Sequence, residues 1–325
     1  MMRILMGLGA LAATAPPAAT DTPATPDLGP TLAQVRTYAA NDGDTVWPGY
    51  GKAPLGFLLI EPEREVLLCQ PGQVAGFTPD GSDAATGCAR AVRPRSGMPD
   101  RLLAAMAIFG PPSTIVMGTP PSTGRSRASW TRTILHEHFH QFQDEQPGMY
   151  ARQIALGLSD PADKSGLWML NYPFPYADAA VGAAYARASN ALADAVEARG
   201  QPSFTAAFDR YLAARAAFQA SVPERDWRDL EFELWKEGVA RWTEVTLGRR
   251  YPDPDVRKAA DALDAAALKQ LRKPDLAAQQ RELVYAYGAA EASLIESCKP
   301  DWRKSYFDQL TLAPLLTSAR AACGA

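Results

Sequence analysis

Histidine is scarce in this sequence of 325 residues: there are only three, and all of them lie within one short segment, at His136, His138 and His140. Any site that needs imidazole must therefore be built around that segment. An excess of positive charge is also missing, because 33 Lys and Arg face 36 Asp and Glu, for a net charge of -3. This balance argues against a nucleic-acid partner. A hydrophobic content of 47% is that of a chain able to form a core.

Long apolar runs are absent as well. Arg3 precedes a short apolar run, residues 4–13, and Ala13-Thr14-Ala15 follows with the small residues of a cleavage site. This pattern predicts a secretory signal peptide, residues 1–15, cut near Ala15. The run is far shorter than the roughly 20 residues that a membrane span requires, and no later segment is long and apolar enough to cross a bilayer. We therefore expect a secreted or periplasmic protein without a membrane span.

Only four cysteines are present, and no C-x-x-C spacing occurs among them, which argues against a thiolate metal site. In an exported protein an even count favours disulfides. Three pairings are possible. We favour Cys69–Cys88 with Cys298–Cys323, because each pair closes a short loop.

The order of apolar runs and turn signals predicts an α+β protein in two parts. A flexible leader, residues 16–30, precedes an α+β lobe, residues 31–150, and a mainly helical lobe, residues 151–325. In the first lobe we expect helices at 31–40, 100–109 and 131–146, and strands at 56–60, 65–69 and 113–118, the first two strands forming a hairpin. In the second lobe we expect helices at 177–199, 202–220, 224–248, 255–271, 275–298 and 302–319.

The segment His136-Glu137-His138-Phe139-His140 contains the pattern H-E-x-x-H. On a helix His136 and His140 lie one turn apart on the same face, where two imidazole nitrogens can bind one Zn2+. Glu137 lies about 100° around the helix, within reach of a water at the metal, and is the candidate general base. His138 lies about 200° from His136, and we expect it to be structural.

A catalytic zinc site of this kind needs a third protein ligand, and no histidine is left to supply it. The ligand must then be a carboxylate. We prefer Glu237, in the segment Glu237-Gly238-Val239-Ala240, because the small residues would let its helix approach the helix of the H-E-x-x-H motif closely. Glu233 and Glu244 are the alternatives.

The pairing of H-E-x-x-H with a downstream E-G-x-A resembles the gluzincin branch of zinc metallopeptidases, as found in uncharacterised secreted members. The resemblance implies a zincin-like fold: a small mixed sheet whose edge strand binds substrate, an active-site helix, and a helical lobe that supplies the third ligand. It also implies that His136, His140 and Glu237 bind zinc and that Glu137 is the base. Many gluzincins place an Asp four residues after the third ligand to orient a histidine, whereas this sequence has Arg241 there.

The oxyanion of a tetrahedral intermediate needs a hydrogen-bond donor, and Tyr287 is our candidate because it lies on the apolar face of its predicted helix. The expected function is a secreted zinc-dependent metallopeptidase, a protease acting on a peptide or protein substrate. Two alternatives remain open: a zincin-like protein that binds metal without catalysis, and a periplasmic binding protein with a purely structural metal. The sequence is silent on cleavage specificity and on oligomeric state.

Overall fold

The computed structural model describes residues 27–159 and 168–323. The predicted signal peptide and residues 16–26 of the predicted leader lie outside these residues. Gly29 and Pro30, the last two residues of that leader, already belong to the first helix, α1 (Gly29–Asp42). In the described part of the chain, no helix is both long and apolar enough to span a bilayer.

A six-stranded mixed sheet forms the N-terminal part, in the spatial order β3-β4-β2-β1-β6-β5. The β1–β2 hairpin is confirmed, and β1 pairs in parallel with β6, whereas the remaining neighbours are antiparallel. The strands are β1 (Phe57–Ile60), β2 (Arg64–Leu68), β3 (Thr78–Ser82), β4 (Ala89–Pro94), β5 (Leu103–Met106) and β6 (Thr114–Gly118).

The central strand β1 is buried on both faces, which explains its unbroken apolar sequence. Because successive side chains point to opposite faces, Phe57 and Leu59 join the main hydrophobic core. Leu58 and Ile60 join a smaller cluster on the other face of the sheet. The main core therefore lies on the face of the sheet that carries Phe57 and Leu59.

The helix predicted at residues 100–109 is wrong, because Leu103–Met106 is the edge strand β5. This Ala-rich run has no strong strand propensity of its own, and its antiparallel pairing with β6 decides its conformation. Strands β3 and β4 were not predicted. All five residues of β3 are exposed, and they include Pro79 and Gly81, so the sequence carries no alternation of apolar and polar residues there.

The C-terminal part is mainly helical, as expected, and most predicted boundaries agree within a few residues. Three predicted helices are interrupted. The helix expected at 224–248 contains a π-helical turn, Leu234–Gly238; the one at 275–298 contains a 3-10 turn, Gln280–Glu282; and the one at 302–319 is a 3-10 turn, Trp302–Ser305, followed later by an α-helix. After α1, the α-helices are α2 (Pro120–Thr123), α3 (Arg127–Asp144), α4 (Met149–Ala155), α5 (Trp168–Asn171), α6 (Ala179–Glu197), α7 (Phe204–Gln219), α8 (Glu224–Glu233), α9 (Val239–Arg250), α10 (Pro254–Arg272), α11 (Leu276–Gln279), α12 (Leu283–Cys298) and α13 (Ala313–Ala322).

Helix α3 lies at the centre of the molecule, between the sheet and the helical part. The Ser126 side chain caps its N-terminus by accepting a hydrogen bond from the backbone N–H of Ser129. Every residue from Trp130 to Gln143 is buried, because strands β5 and β6 pack on one side and helices α1, α9 and α10 on the others. The histidine segment is therefore held rigidly inside the protein.

Residues near the N-terminus also contact the helical part directly. The Tyr38 hydroxyl donates to the carbonyl oxygen of Leu247 at 2.9 Å, and the indole N–H of Trp47 donates to the Thr243 hydroxyl at 2.8 Å. Both predicted disulfides are confirmed, Cys69–Cys88 beside the sheet and Cys298–Cys323 between α12 and the C-terminal end of α13.

Candidate metal centre

The side chains of His136, His140 and Glu237 converge on one point. The Nε2 atoms of the two histidines are 3.1 Å apart, and Glu237 Oε2 lies 3.3 Å from His136 Nε2 and 3.1 Å from His140 Nε2. All three residues are buried, each 8% exposed or less. Of the described residues, they form the one group of three or more His, Cys, Asp and Glu whose candidate ligand atoms lie together.

The hydrogen bonds of Gln143 fix the orientation of the His140 ring. The amide Nε2 of Gln143 donates to the carbonyl oxygen of Lys236 and to the Tyr306 hydroxyl, so its Oε1 faces His140 Nδ1 at 2.7 Å. That oxygen accepts a hydrogen bond from Nδ1. The proton of His140 is therefore on Nδ1, and its Nε2 lone pair faces the common point.

Glu244 plays the corresponding part for His136. Its Oε2 lies 3.3 Å from His136 Nδ1, and its carboxylate is paired with Arg132 and Arg241. Burial raises the pKa of Glu244, but Arg241, Arg132 and His136 outweigh it and lower the pKa to about 2. The carboxylate is thus ionised and lies beside His136 Nδ1 as its ion-pair partner. This negative charge favours a proton on Nδ1, which leaves the Nε2 lone pair of His136 facing the common point as well.

The donor set fits a tetrahedral zinc ion. Bonds of about 2.0–2.1 Å in a tetrahedral centre separate the ligand atoms by roughly 3.3–3.4 Å, close to the 3.1–3.3 Å between these three atoms. Two nitrogen lone pairs and a carboxylate oxygen repel one another unless a cation or proton lies between them. Two imidazoles and one carboxylate are also a known catalytic zinc set.

Without a metal, a proton on His136 can reduce the repulsion between the three ligand atoms. Burial lowers its pKa, but Glu237 and Glu244 raise it to about 9. For Glu237, burial raises the pKa, and His140, His136 and Arg281 together hold it well below its usual value. The surroundings therefore favour a positive charge at this point, and a metal would displace the proton.

The π-helical turn, Leu234–Gly238, positions Glu237 in an otherwise continuous helix from α8 to α9. Such a turn contains one residue more than an α-helical turn and occurs often at functional sites. A Cβ added to Gly238 would lie 2.4 Å from the Cα of Gly288, so the turn is in backbone contact with α12. Gly238 itself therefore permits close approach to α12, whereas α9, which follows the turn, packs on the motif helix α3.

Neither alternative ligand joins the group. Glu233 is one turn before Glu237 and is paired with Arg281, whose Nη2 lies 2.5 Å from Glu233 Oε2 and 3.0 Å from Glu237 Oε1. Glu244 occupies the far side of the His136 ring. Sequence reasoning named Glu244 only as a fallback ligand, and its helical spacing of seven residues from Glu237 was the available signal for its place near the group.

Glu137 follows His136 on α3 and is 6% exposed. Burial raises the pKa of its carboxyl group, while His136 and His140 lower it. Its carboxylate accepts no hydrogen bond from the residues that the structure describes. The group is therefore free to accept a proton beside the two histidines.

Tyr287 is not brought to the metal-ligand group. Its ring lies among Tyr185 and Tyr211 in the helical part, each 6.1 Å away. Tyr285, two residues earlier and therefore about 200° around the helix, has its ring 5.9 Å from that of His136. Tyr285 thus occupies the place that we expected for Tyr287, because the inward face of α12 at this level packs on α6 and α7.

His138 points away from the group, as expected. Its Nε2 lies 3.2 Å from the carbonyl oxygen of Ala53, and its ring packs against that of Tyr50 with centroids 4.5 Å apart. Burial lowers its pKa to about 4. His138 is a neutral side chain of the core.

No protein-family model, curated protein or solved structure matches this chain.

Proposed function

We propose that this chain is a zinc-dependent hydrolase of peptide or related amide bonds. The observation that carries the proposal is the convergence of His136 Nε2, His140 Nε2 and Glu237 Oε2 at 3.1–3.3 Å from one another, with Glu137 next in sequence to one of the histidines. The alternative of a purely structural metal is disfavoured, because structural zinc has four protein ligands and this group offers three.

Zinc held by these three residues would polarise the substrate carbonyl and lower the pKa of a water molecule to about 7. Glu137 then accepts the proton of the attacking water and passes it to the leaving amine. Its buried position supports this role, because burial favours the protonated form that must exist between the two steps.

Tyr285 is the proposed donor to the oxyanion. Arg281 Nη1 donates to the Tyr285 hydroxyl at 3.3 Å. The guanidinium groups of Arg241 and Arg281 both lie over the Tyr285 ring, at 4.8 Å and 6.0 Å from its centroid. Because the hydroxyl oxygen already accepts from Arg281, its own proton is free for a developing negative charge. This assignment replaces Tyr287.

We also infer that the fold is zincin-like and that the protein acts outside the cytoplasm. The mixed sheet with the edge strand β5 packed beside α3 supports the first inference, and a substrate strand would pair with that edge. The disulfides Cys69–Cys88 and Cys298–Cys323 support the second, because disulfides persist in oxidising compartments.

The test is to measure zinc content and hydrolysis of a mixed peptide library for the wild type, Glu137→Gln and Glu145→Gln. Glu145 is exposed at the end of α3 and is the matched control. We expect Glu137→Gln to keep one zinc per chain and to lose about 10²–10⁴-fold in activity. We expect Glu145→Gln to resemble the wild type. A wild type that binds zinc and cleaves no peptide would favour the inactive metal-binding alternative, and one without zinc would contradict the proposal entirely.

A further inference from the structure

Two carboxylates lie along the helix that leads to the metal-ligand group. Asp229, Glu233 and Glu237 are spaced four residues apart, on one face of α8 and the π-helical turn that follows. At a rise of about 1.5 Å per residue, Glu233 is roughly 6 Å and Asp229 roughly 12 Å along the axis from Glu237. We call Asp229 and Glu233 the acidic pair.

The acidic pair is buried and short of hydrogen bonds. Asp229 is 3% and Glu233 is 2% exposed, yet among the described residues Oδ1 of Asp229 and Oε1 of Glu233 have no hydrogen-bond partner, and Oε2 of Glu233 has only its ion pair with Arg281. Arg281 is the close cation, and it divides its charge between Glu233 and Glu237. Unpaired buried oxygens of this kind are costly, and their presence beside a candidate site requires an explanation.

The surroundings of the acidic pair suit an organic cation. Tyr172 and Tyr176 are half-buried near it. The Tyr172 hydroxyl donates to Asp226 and its ring already faces the Arg225 guanidinium at 5.5 Å, whereas burial, Asp229 and Glu233 raise the pKa of Tyr176. Aromatic faces next to carboxylates attract ammonium and guanidinium groups. A metal ion is less suitable, because the pair lacks the third ligand that would make it a metal-binding group among the described residues.

We propose that the acidic pair is a specificity subsite that binds the cationic side chain of a Lys or Arg in the peptide substrate. The proposal rests on the proposed function. The distances agree, because one or two extended residues at about 3.3 Å each, plus a lysine stem, span the roughly 6–12 Å from the metal-ligand group. Local movement must admit the side chain, because the pair is almost fully covered.

Burial also keeps the empty pair from being fully charged at neutral pH. Desolvation raises the pKa of Asp229 to about 7 and that of Glu233 to about 8, with Arg281 opposing both shifts. A cationic side chain would supply the charge that the pair lacks and would let both carboxylates ionise. A neutral side chain of equal length would leave Oδ1 of Asp229 and Oε1 of Glu233 unpaired.

The experiment uses two sets of end-blocked alanine hexapeptides, one with a single lysine at each position in turn and one with norleucine in its place. The zinc-loaded enzyme is the wild type, Asp229→Asn, Glu233→Gln or Glu224→Gln. Glu224 is the matched control, because it is exposed on the same helix and is paired with Arg228. We expect kcat/KM for the best lysine peptide to exceed that of its norleucine counterpart about tenfold in the wild type and in Glu224→Gln. This ratio should approach one in Asp229→Asn and Glu233→Gln.

Equal cleavage of lysine and norleucine peptides by the wild type would overturn the subsite and leave the hydrolase intact. An enzyme that cleaves neither set would overturn the proposed function, and the subsite would then be read from binding. In that case calorimetry on the metal-stripped chain decides: a preference for the lysine peptides that Glu233→Gln abolishes supports the subsite, and no preference overturns it.

Discussion

Oε2 of Glu244 lies 3.3 Å from Nδ1 of His136, on the side of the imidazole opposite the metal-ligand group. Arg132 and Arg241 pair with the same carboxylate. The resemblance to gluzincins predicts an acidic partner of a histidine at position 241, where this sequence has an arginine. The acid is found three residues later, and Arg241 fixes the acid rather than the histidine.

From this relationship we predict that Glu244→Gln weakens zinc binding about 10–100-fold, because the amide removes the charge that keeps His136 protonated on Nδ1. Competition with a chromophoric chelator measures the affinity. Glu224→Gln, an exposed change of the same chemistry, should leave it unchanged. Equal affinities in wild type and Glu244→Gln, with equal urea midpoints, would show that Glu244 does not orient the ligand.

Substitutions at His138 and His140 should affect different properties of the protein: the one at His140 zinc binding, and the one at His138 stability. His140→Ala should abolish zinc binding, because it removes one of three ligands. His138→Ala should keep one zinc per chain but lose about 2–4 kcal/mol of unfolding free energy, because it removes a buried ring and its contact with Ala53. Metal analysis and urea unfolding of both variants check this, and loss of zinc in His138→Ala would contradict the division of roles.

Gly238→Ala should destabilise the protein, although alanine is the better helix former. The new Cβ would lie 2.4 Å from the Gly288 Cα, where backbone cannot move aside easily. Overpacking of this kind costs about 1–3 kcal/mol, more than the roughly 1 kcal/mol gained in helix propensity.

Gly182→Ala in α6 is the control for this prediction, because the nearest atom to its new Cβ is 3.9 Å away. We expect this variant to be stabilised by about 0.5–1 kcal/mol in urea unfolding. If both variants gain stability, the close contact between the π-helical turn and α12 is not rigid.

Asp229→Asn should stabilise the metal-free protein in a pH-dependent way. Burial raises the Asp229 pKa from 3.8 to about 7. A raised pKa means that the carboxyl favours folding only when protonated. Its contribution is complete below the unfolded pKa, falls as pH rises from about 4 to about 7, and is lost above that range. The isosteric amide avoids this loss.

The measurement is urea unfolding of wild type and Asp229→Asn in chelator from pH 4 to pH 8. The two stabilities should be similar near pH 4 and diverge with rising pH, with the amide more stable by about 2 kcal/mol at pH 8 and about 4 kcal/mol as an upper limit. A difference that is constant across the range would show that Asp229 does not titrate as proposed.

Much of the architecture was accessible from sequence, where local signals and packing agree. Phe57–Ile60 is uniformly apolar and became the doubly buried strand, and the helix predicted at 131–146 contains the histidine segment, as α3 does. The edge strand Leu103–Met106 was misread, because its conformation depends on pairing with β6 rather than on its own residues. Such long-range pairing leaves no trace in a short Ala-containing run.

In the candidate site, too, the residues set by local spacing were predicted, and those set by contacts between distant elements were not. The histidine pair follows from helical spacing within one segment, and Glu237 was reached by elimination. Gln143 and Glu244 were not assigned their orienting contacts, because those contacts depend on how α3 meets the turn Leu234–Gly238 and α9. Tyr285 and Tyr287 lie on opposite sides of the same helix. The apolar pattern of that helix predicts which of them is buried, and the buried one, Tyr287, packs in the core rather than beside the histidines.

The π-helical turn sets the direction in which the Glu237 side chain leaves its helix, and the residue types of the motif do not specify that direction. An α-helix advances about 100° per residue, and the turn Leu234–Gly238 adds one residue to it. A chain with the same H-E-x-x-H and E-G-x-A segments, but one residue fewer before the glutamate, would direct that carboxylate to a different side of its helix. Deletion of a single residue before Glu237 would therefore take its carboxylate away from His136 and His140 while leaving both motifs intact.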